Sequence, residues 1–159
     1  MTQQEYADRA HRLKEKLYRT AYVFLSSQSA AVDAVDEAVY KGFLAHKKLR
    51  QPEFFETWLT RILINVCTSE LRRRKRELCV DELPETAQEQ FDALPLKEAL
   101  RRLPQELREV VVLRYFTGLT LEETARVLDI PRGTVSTRQK KALSLLRLEL
   151  VDERREDAV

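Results

Sequence analysis

Residues 118–148, GLTLEETARVLDIPRGTVSTRQKKALSLLRL, leave the backbone few options. Gly118 ends one helix and Thr120 opens the next. Glu123 follows three residues on, so the two side chains can satisfy each other's orphan backbone N–H groups in a capping box. Leu121, Ala125 and Leu128 recur at helical spacing and give that helix an apolar face. Asp129, Ile130 and Pro131 then break it, because the residue before a proline is pushed out of the α region. A second helix starts near Arg132. Two short helices around a tight turn form a helix-turn-helix. At about 100° per residue, Ser136, Thr137, Lys140 and Lys141 share one side of the second helix, and Val135, Ala142, Leu146 and Leu150 share the other. The polar side holds hydroxyls and cations and no carboxylate, the chemistry that meets phosphates and base edges in a major groove. The bland alternative is a solvated amphipathic helix; the capping box, proline turn and carboxylate-free face occurring together argue against it.

The rest of the chain reads as helical too. Only 3 of 159 residues are glycine and 5 proline, and strand-like alternation is absent. The expected fold is all-α: two small helical domains joined by an acidic linker, the C-terminal one the helix-turn-helix. Boundaries fall at 1–76, 77–95 and 96–150, with a charged tail at 151–159 expected to fray. Net charge is +2 but unevenly spread. Residues 61–76 carry six cations and one anion, residues 81–98 six anions and one cation, and residues 101–150 ten cations and six anions. Two basic blocks around an acidic spacer imply two nucleic-acid contacts.

Taken in order, Tyr6, Ala10, Leu13, Leu17, Ala21 and Phe24 stripe a first helix over Gln3 to Ser26. Ser29 is the expected N-cap of a second, running to Leu49 with Val32, Val35, Val39 and Phe43 facing inward. Asp33, Asp36 and Glu37 lie in its first turns, where the helix dipole favours anions. They read as an acidic patch for a basic partner; a metal site would need a further ligand that no matching spacing supplies. A third helix begins near Pro52, with Phe55, Trp58, Leu59, Ile62 and Val66 as its buried stripe. It ends in RRRKR, residues 72–76, more cations than the helix dipole needs and so a phosphate-binding block. Leu96, Ala99, Leu100 and Leu103, then Leu107, Val110, Val111 and Leu113, mark two helices that support the helix-turn-helix. Cys67 and Cys79 have neither metal nor redox spacing, and His11 and His46 have no partner motif, so no cofactor and no metal is expected. Met1 leads into polar residues and no run spans a membrane, which makes a cytoplasmic protein the default.

Residues 5–150 resemble, in order and spacing, bacterial sigma factors of the extracytoplasmic-function group. In the C-terminal half the resemblance rests on Glu122, Glu123, Ala125, Ile130, Pro131, Gly133, Thr134, Val135, Arg138 and Ala142. In the N-terminal half it rests on AVDAVDEAVYKGF, residues 31–43, and on Trp58, Leu59, Arg61, Ile62, Asn65 and the block Arg72 to Arg76. It implies that Asp33, Asp36, Glu37 and Tyr40 bind core RNA polymerase. It further implies that Arg61, Asn65, Arg72, Arg73, Lys75 and Arg76 serve minus-ten recognition and melting, with Asn65 near a captured flipped base. Thr134, Ser136, Thr137, Arg138, Lys140 and Lys141 would read the minus-thirty-five element. Other implied properties are promoter-specific initiation without catalysis, a stress response under an anti-sigma factor (often membrane-bound), no small-molecule substrate, and a monomer when free of partners. Three positions depart from the pattern: Asp36 replaces a usual glutamine, Ser136 a common cation, and Gln139 a usual apolar residue. Trp58 reads as core rather than as a stacking platform, since it sits on the apolar stripe. Two other functions fit parts of the chain: a dimeric operator-binding regulator, and a metal-dependent nuclease built on Asp33, Asp36 and Glu37.

Overall fold

The computed structural model describes residues 1–78 and 94–157, and among them every regular element is helical. The expected linker at 77–95 lies outside the described residues except at its edges, as do Cys79 and the side chain of Leu150. The chain divides into two compact units.

The first unit packs α1 (Gln3–Leu25), α2 (Gln28–Ala45) and α3 (Phe55–Leu78) against one another. Thr2 and Glu5 start α1 with a reciprocal capping box: Thr2 Oγ1 accepts from the Glu5 N–H at 3.1 Å, and Glu5 accepts from the Thr2 N–H at 2.7 Å. Tyr6, Ala10, Leu17, Ala21 and Phe24 are buried along it. The helix stops at Ser26, whose left-handed φ of 54° no α-helix can continue. Only Ser26 and Ser27 separate the two helices, so Ser27, not Ser29, caps α2, accepting from the Ala30 N–H at 3.3 Å.

The buried face of α2 is also turned from the expected one. Ala31, Ala34, Val35, Ala38 and Gly42 are buried, whereas Val32 is 47% exposed and Phe43 37%. Small residues win because the backbone of α2 must come close to its neighbours. Tyr6 on α1 donates to the Val39 carbonyl at 2.6 Å, and a Cβ on Gly42 would run into the Tyr6 hydroxyl and lie 2.9 Å from Leu59 Cδ1. Burial pushes the Tyr6 phenol up to about 12, so it stays a donor. After short 3₁₀ turns at His46–Lys48 and Pro52–Phe54, α3 buries Phe55, Leu59, Leu63, Ile64, Val66 and Cys67. Trp58 and Ile62 are half-buried at the margin of that face.

The second unit holds α4 (Leu94–Arg102), α5 (Gln105–Val111), the start of α6 (Leu121–Leu128) and α7 (Arg132–Asp157), while Arg126–Asp129 group with the first unit. Ala99, Leu100 and Leu103 are buried as expected; Leu96 is exposed. Arg108 reaches back from α5 to the carbonyls of Leu100, Arg101 and Leu103 at 2.9, 2.7 and 3.0 Å, satisfying the open end of α4. α5 opens into a π turn over Val112–Phe116, with the Thr117 N–H on the Val112 carbonyl at 3.0 Å. Gly118 takes φ 79° and returns the Leu119 N–H to the Leu113 carbonyl at 2.9 Å. At its far end, α7 continues through Asp157, across the segment expected to fray.

Candidate nucleic-acid interface

The turn between α6 and α7 forms as its residues dictate. Thr120 Oγ1 accepts from the Glu123 N–H at 3.1 Å, and Glu123 accepts in return from the Thr120 N–H at 3.4 Å. Asp129 takes a left-handed φ of 55°, the Ile130 N–H bonds the Ala125 carbonyl at 3.0 Å, and the Pro131 carbonyl receives the N–H groups of Thr134 and Val135. Val135, Ala142 and Leu146 are buried on one side of α7. The other side leaves Thr137, Lys140 and Lys141 exposed, with Thr134, Ser136 and Arg138 half-buried beside them. The Thr137 hydroxyl donates to the Gly133 carbonyl at 3.0 Å. With its proton used on the helix backbone, the hydroxyl can offer a partner only its acceptor lone pairs.

An open groove of about 670 Å³ runs along this face, lined by Pro131, Gly133, Thr134, Thr137, Arg138 and Lys141 and closed on the α5 side by Glu106 and Leu107. Glu106 pairs with Arg138 at 3.7 Å, so one cation of this face already has a carboxylate beside it. Burial raises the neighbouring Glu109 carboxyl above its ordinary value.

Five cations in a row at the end of α3 do not act alike. At 100° per residue, Arg61, Asn65, Arg72, Lys75 and Arg76 fall on one stripe, and all five are exposed. From Arg61 to Arg76 that stripe is about 22 Å long. Arg73 stands to one side in a carboxylate bracket: it donates to Glu70 at 3.0 and 2.8 Å and to Glu77 at 2.7 Å. Those bonds hold the Glu70 carboxyl below the usual carboxylate range. Arg74 points the opposite way. It donates to the Leu25 carbonyl at 2.6 Å and pairs with Glu70 at 3.3 Å, closing the C-terminus of α1. No sequence spacing marks Arg74 as structural, because its partner is a carbonyl 49 residues away.

On α2, Asp33, Asp36, Glu37 and Tyr40 are all exposed and share one face with Leu44. Tyr40 is 62% and Leu44 65% exposed, an apolar pair among carboxylates. Glu37 is bridged to Lys41 at 2.7 Å. Among the described residues no group of three His, Cys, Asp or Glu side chains is placed to hold a metal ion. None of their helices is long and apolar enough to cross a membrane.

Comparison with known proteins gives two matching regions. Residues 10–77 match the family model described as Sigma-70 region 2, and residues 99–148 that described as Sigma-70, region 4. The chain is 31% identical over 145 residues to RNA polymerase sigma factor SigV of Bacillus subtilis, covering 88% of this chain and 87% of that one. It is 33% identical over 137 residues to the ECF RNA polymerase sigma factor SigM of Mycobacterium tuberculosis, covering 82% of this chain and 69% of that one. Its fold is similar to that of the sigma factor RpoE from Bartonella quintana, solved in complex with the anti-sigma factor NepR: TM-score 0.79, 22% identity, 92% of this chain and 97% of that one. It is also similar to that of CnrH, solved with the cytosolic domain of CnrY, with a TM-score of 0.75, 23% identity, and coverage of 96% and 90%. With two region models in order and relatives above 30% identity along most of its length, the chain belongs to the extracytoplasmic-function group of the sigma-70 family of RNA polymerase sigma factors.

Proposed function

We propose that the three exposed faces divide the work of initiation between them. The acidic and apolar face of α2, with Asp33, Asp36, Glu37 and Tyr40, binds core RNA polymerase. The stripe Arg61, Asn65, Arg72, Lys75 and Arg76 on α3 holds the minus-ten region as it opens, with Arg73 at its flank. The α7 face reads the minus-thirty-five duplex through Ser136, Thr137, Lys140 and Lys141, and Thr134 and Arg138 rest on phosphates. The observation that carries this reading is the alignment of four exposed cations and one amide along α3, separate from the carboxylate-free face of α7. A row of point charges suits a phosphate backbone whose bases have left the stack, and the amide of Asn65 offers a donor and an acceptor to a flipped base. The face of α7 presents short hydroxyls and lysines, which fit a groove with its bases still paired.

Asp36 in place of glutamine keeps an acceptor on the polymerase-facing side and adds a charge. Opening is driven by binding energy alone, and no catalytic group is required. Domain limits at 1–76 and 96–150, with 77–95 as linker, fit this division. The group to which the chain belongs and the NepR complex of a similar structure support control by an anti-sigma factor that covers these faces. A cytoplasmic place of action and a monomeric free state go with that.

The test separates the two DNA faces. Holoenzyme assembled with bacterial core polymerase is placed on genomic promoter fragments enriched by the wild-type protein, and unpaired thymines are detected with permanganate. Arg72→Ala combined with Arg76→Ala is expected to abolish opening while duplex retention persists. Lys140→Ala combined with Lys141→Ala is expected to lower retention of duplex and its salt slope by roughly two, about one per lost phosphate or groove cation. Normal opening by the α3 double variant refutes the assignment.

A further inference from the structure

We propose that Gln139 is a positioning residue for duplex reading: acting through Arg114, it locks the turn ahead of the helix-turn-helix and fixes the rotation of α7. This rests on the reading above, that α7 faces DNA. Arg114 lies half-buried in the π turn that follows α5. Its Nε donates to Gln139 Oε1 at 2.9 Å and its Nη1 to the Leu119 carbonyl at 2.6 Å. Gln139 Nε2 in turn donates to the Tyr115 hydroxyl at 3.4 Å. One guanidinium thus ties the recognition helix to the residue after Gly118, whose own N–H is already fixed to Leu113. Gln139 is flanked in sequence by Arg138 and Lys140 but lies on the opposite side of α7 from Thr137 and Lys141, against Arg114.

Apolar packing of Val135, Ala142 and Leu146 holds α7 in place, but it is not directional. Cores held only by such contacts lose uniqueness before they lose stability. A charge-assisted hydrogen bond is directional and sets an angle. The lever is short: with a helix radius of about 5–6 Å including side chains, a rotation of roughly 20° moves side-chain ends by about 2 Å. That exceeds the tolerance of a base-edge hydrogen bond. The glutamine therefore contributes to discrimination between bases more than to folding.

The experiment uses the full-length chain assembled with bacterial core RNA polymerase and a duplex DNA library randomised across the promoter positions. Bound molecules are sequenced for the wild type, Gln139→Leu and Gln139→Glu, and thermal unfolding of each free chain is followed in parallel. The glutamate keeps an acceptor for Arg114; the leucine keeps only volume. Wild type is expected to enrich an upstream motif. Gln139→Glu should enrich the same motif within about twofold, and Gln139→Leu should lose about tenfold in upstream base discrimination with its unfolding midpoint little changed, tenfold being about 1.4 kcal/mol. An unchanged motif with leucine overturns the inference, and so does a glutamate variant as impaired as leucine. A leucine variant that loses discrimination only because its C-terminal unit unfolds also overturns it, since the residue is then structural. If the wild type itself enriches no upstream motif, the reading of α7 fails instead.

Discussion

Arg138 and Arg73 show that a cation proposed to meet a phosphate can already be held by carboxylates of its own chain. Arg138 has Glu106 at 3.7 Å, and Arg73 is bracketed by Glu70 and Glu77. An exposed pair of this kind contributes about 0.2–1 kcal/mol, so removing the acid frees the arginine at little cost to the fold. Glu106→Gln is expected to raise duplex affinity by about two- to fivefold at low salt, with the gain vanishing at high salt; a filter-binding titration over ionic strength measures it. Arg74 is the counter-example. Arg74→Ala leaves the Leu25 carbonyl without its donor and should cost the N-terminal unit about 1–3 kcal/mol, read as a lower thermal midpoint. Arg72→Ala should leave that midpoint unmoved. Glu70 makes the same tie dependent on acid. Its folded-state value is depressed by the bonds from Arg73, so its stabilisation is present at neutral pH and is lost as pH falls through that depressed value. Cys67 has a thiol pushed up to about 12 by burial. In a Cys79→Ser background it should react with a thiol reagent only at the rate of unfolding.

Helix boundaries and caps were largely legible in the residues because they depend on neighbours a few positions away. The Thr120–Glu123 box, the Gly118 stop and the Pro131 turn all stand where the spacing puts them. The face of α2 was not legible, and the reason is tertiary. A hydrophobicity pattern ranks Val32, Val39 and Phe43 above alanine and glycine, but close helix contact selects for small side chains. Gly42 is the sharpest case, with the Tyr6 ring and Leu59 against the position a Cβ would take. Gly42→Ala is expected to destabilise the N-terminal unit by roughly 1–3 kcal/mol despite alanine's better helix propensity, because overpacking outweighs about 1 kcal/mol of propensity. Urea denaturation gives the sign. The same rotation explains why Tyr40 and Leu44 are left outside among Asp33, Asp36 and Glu37. Burying the alanine side of α2 turns a mixed acidic and apolar face outward, a composition suited to a protein partner with a polar rim. The stripe on α3 was only half legible: the block 72–76 is plain in the residues, while its division into outward Arg72, Lys75 and Arg76 and inward Arg74 needs the position of α1.

Each of the two units carries an exposed cationic surface that we assign to DNA, and neither surface resembles the other in chemistry. The α3 stripe is a row of point charges with one amide; the α7 face is hydroxyls, lysines and a restrained arginine. A single-domain operator binder has no use for the first, and a single-strand binder has no use for the second. A chain that must hold closed DNA at one place and open DNA at another uses both, provided polymerase holds the two sites on one promoter. The account therefore depends most on the α2 face, which touches no DNA in this scheme. The direct measurement is size-exclusion co-elution of the purified full-length chain with bacterial core RNA polymerase, alongside a Tyr40→Ala, Leu44→Ala variant. The account predicts a stoichiometric complex for the wild type and its loss in the variant, with the variant's helical content unchanged. A wild-type chain that stays apart from core polymerase yet binds duplex DNA tightly by itself would contradict it.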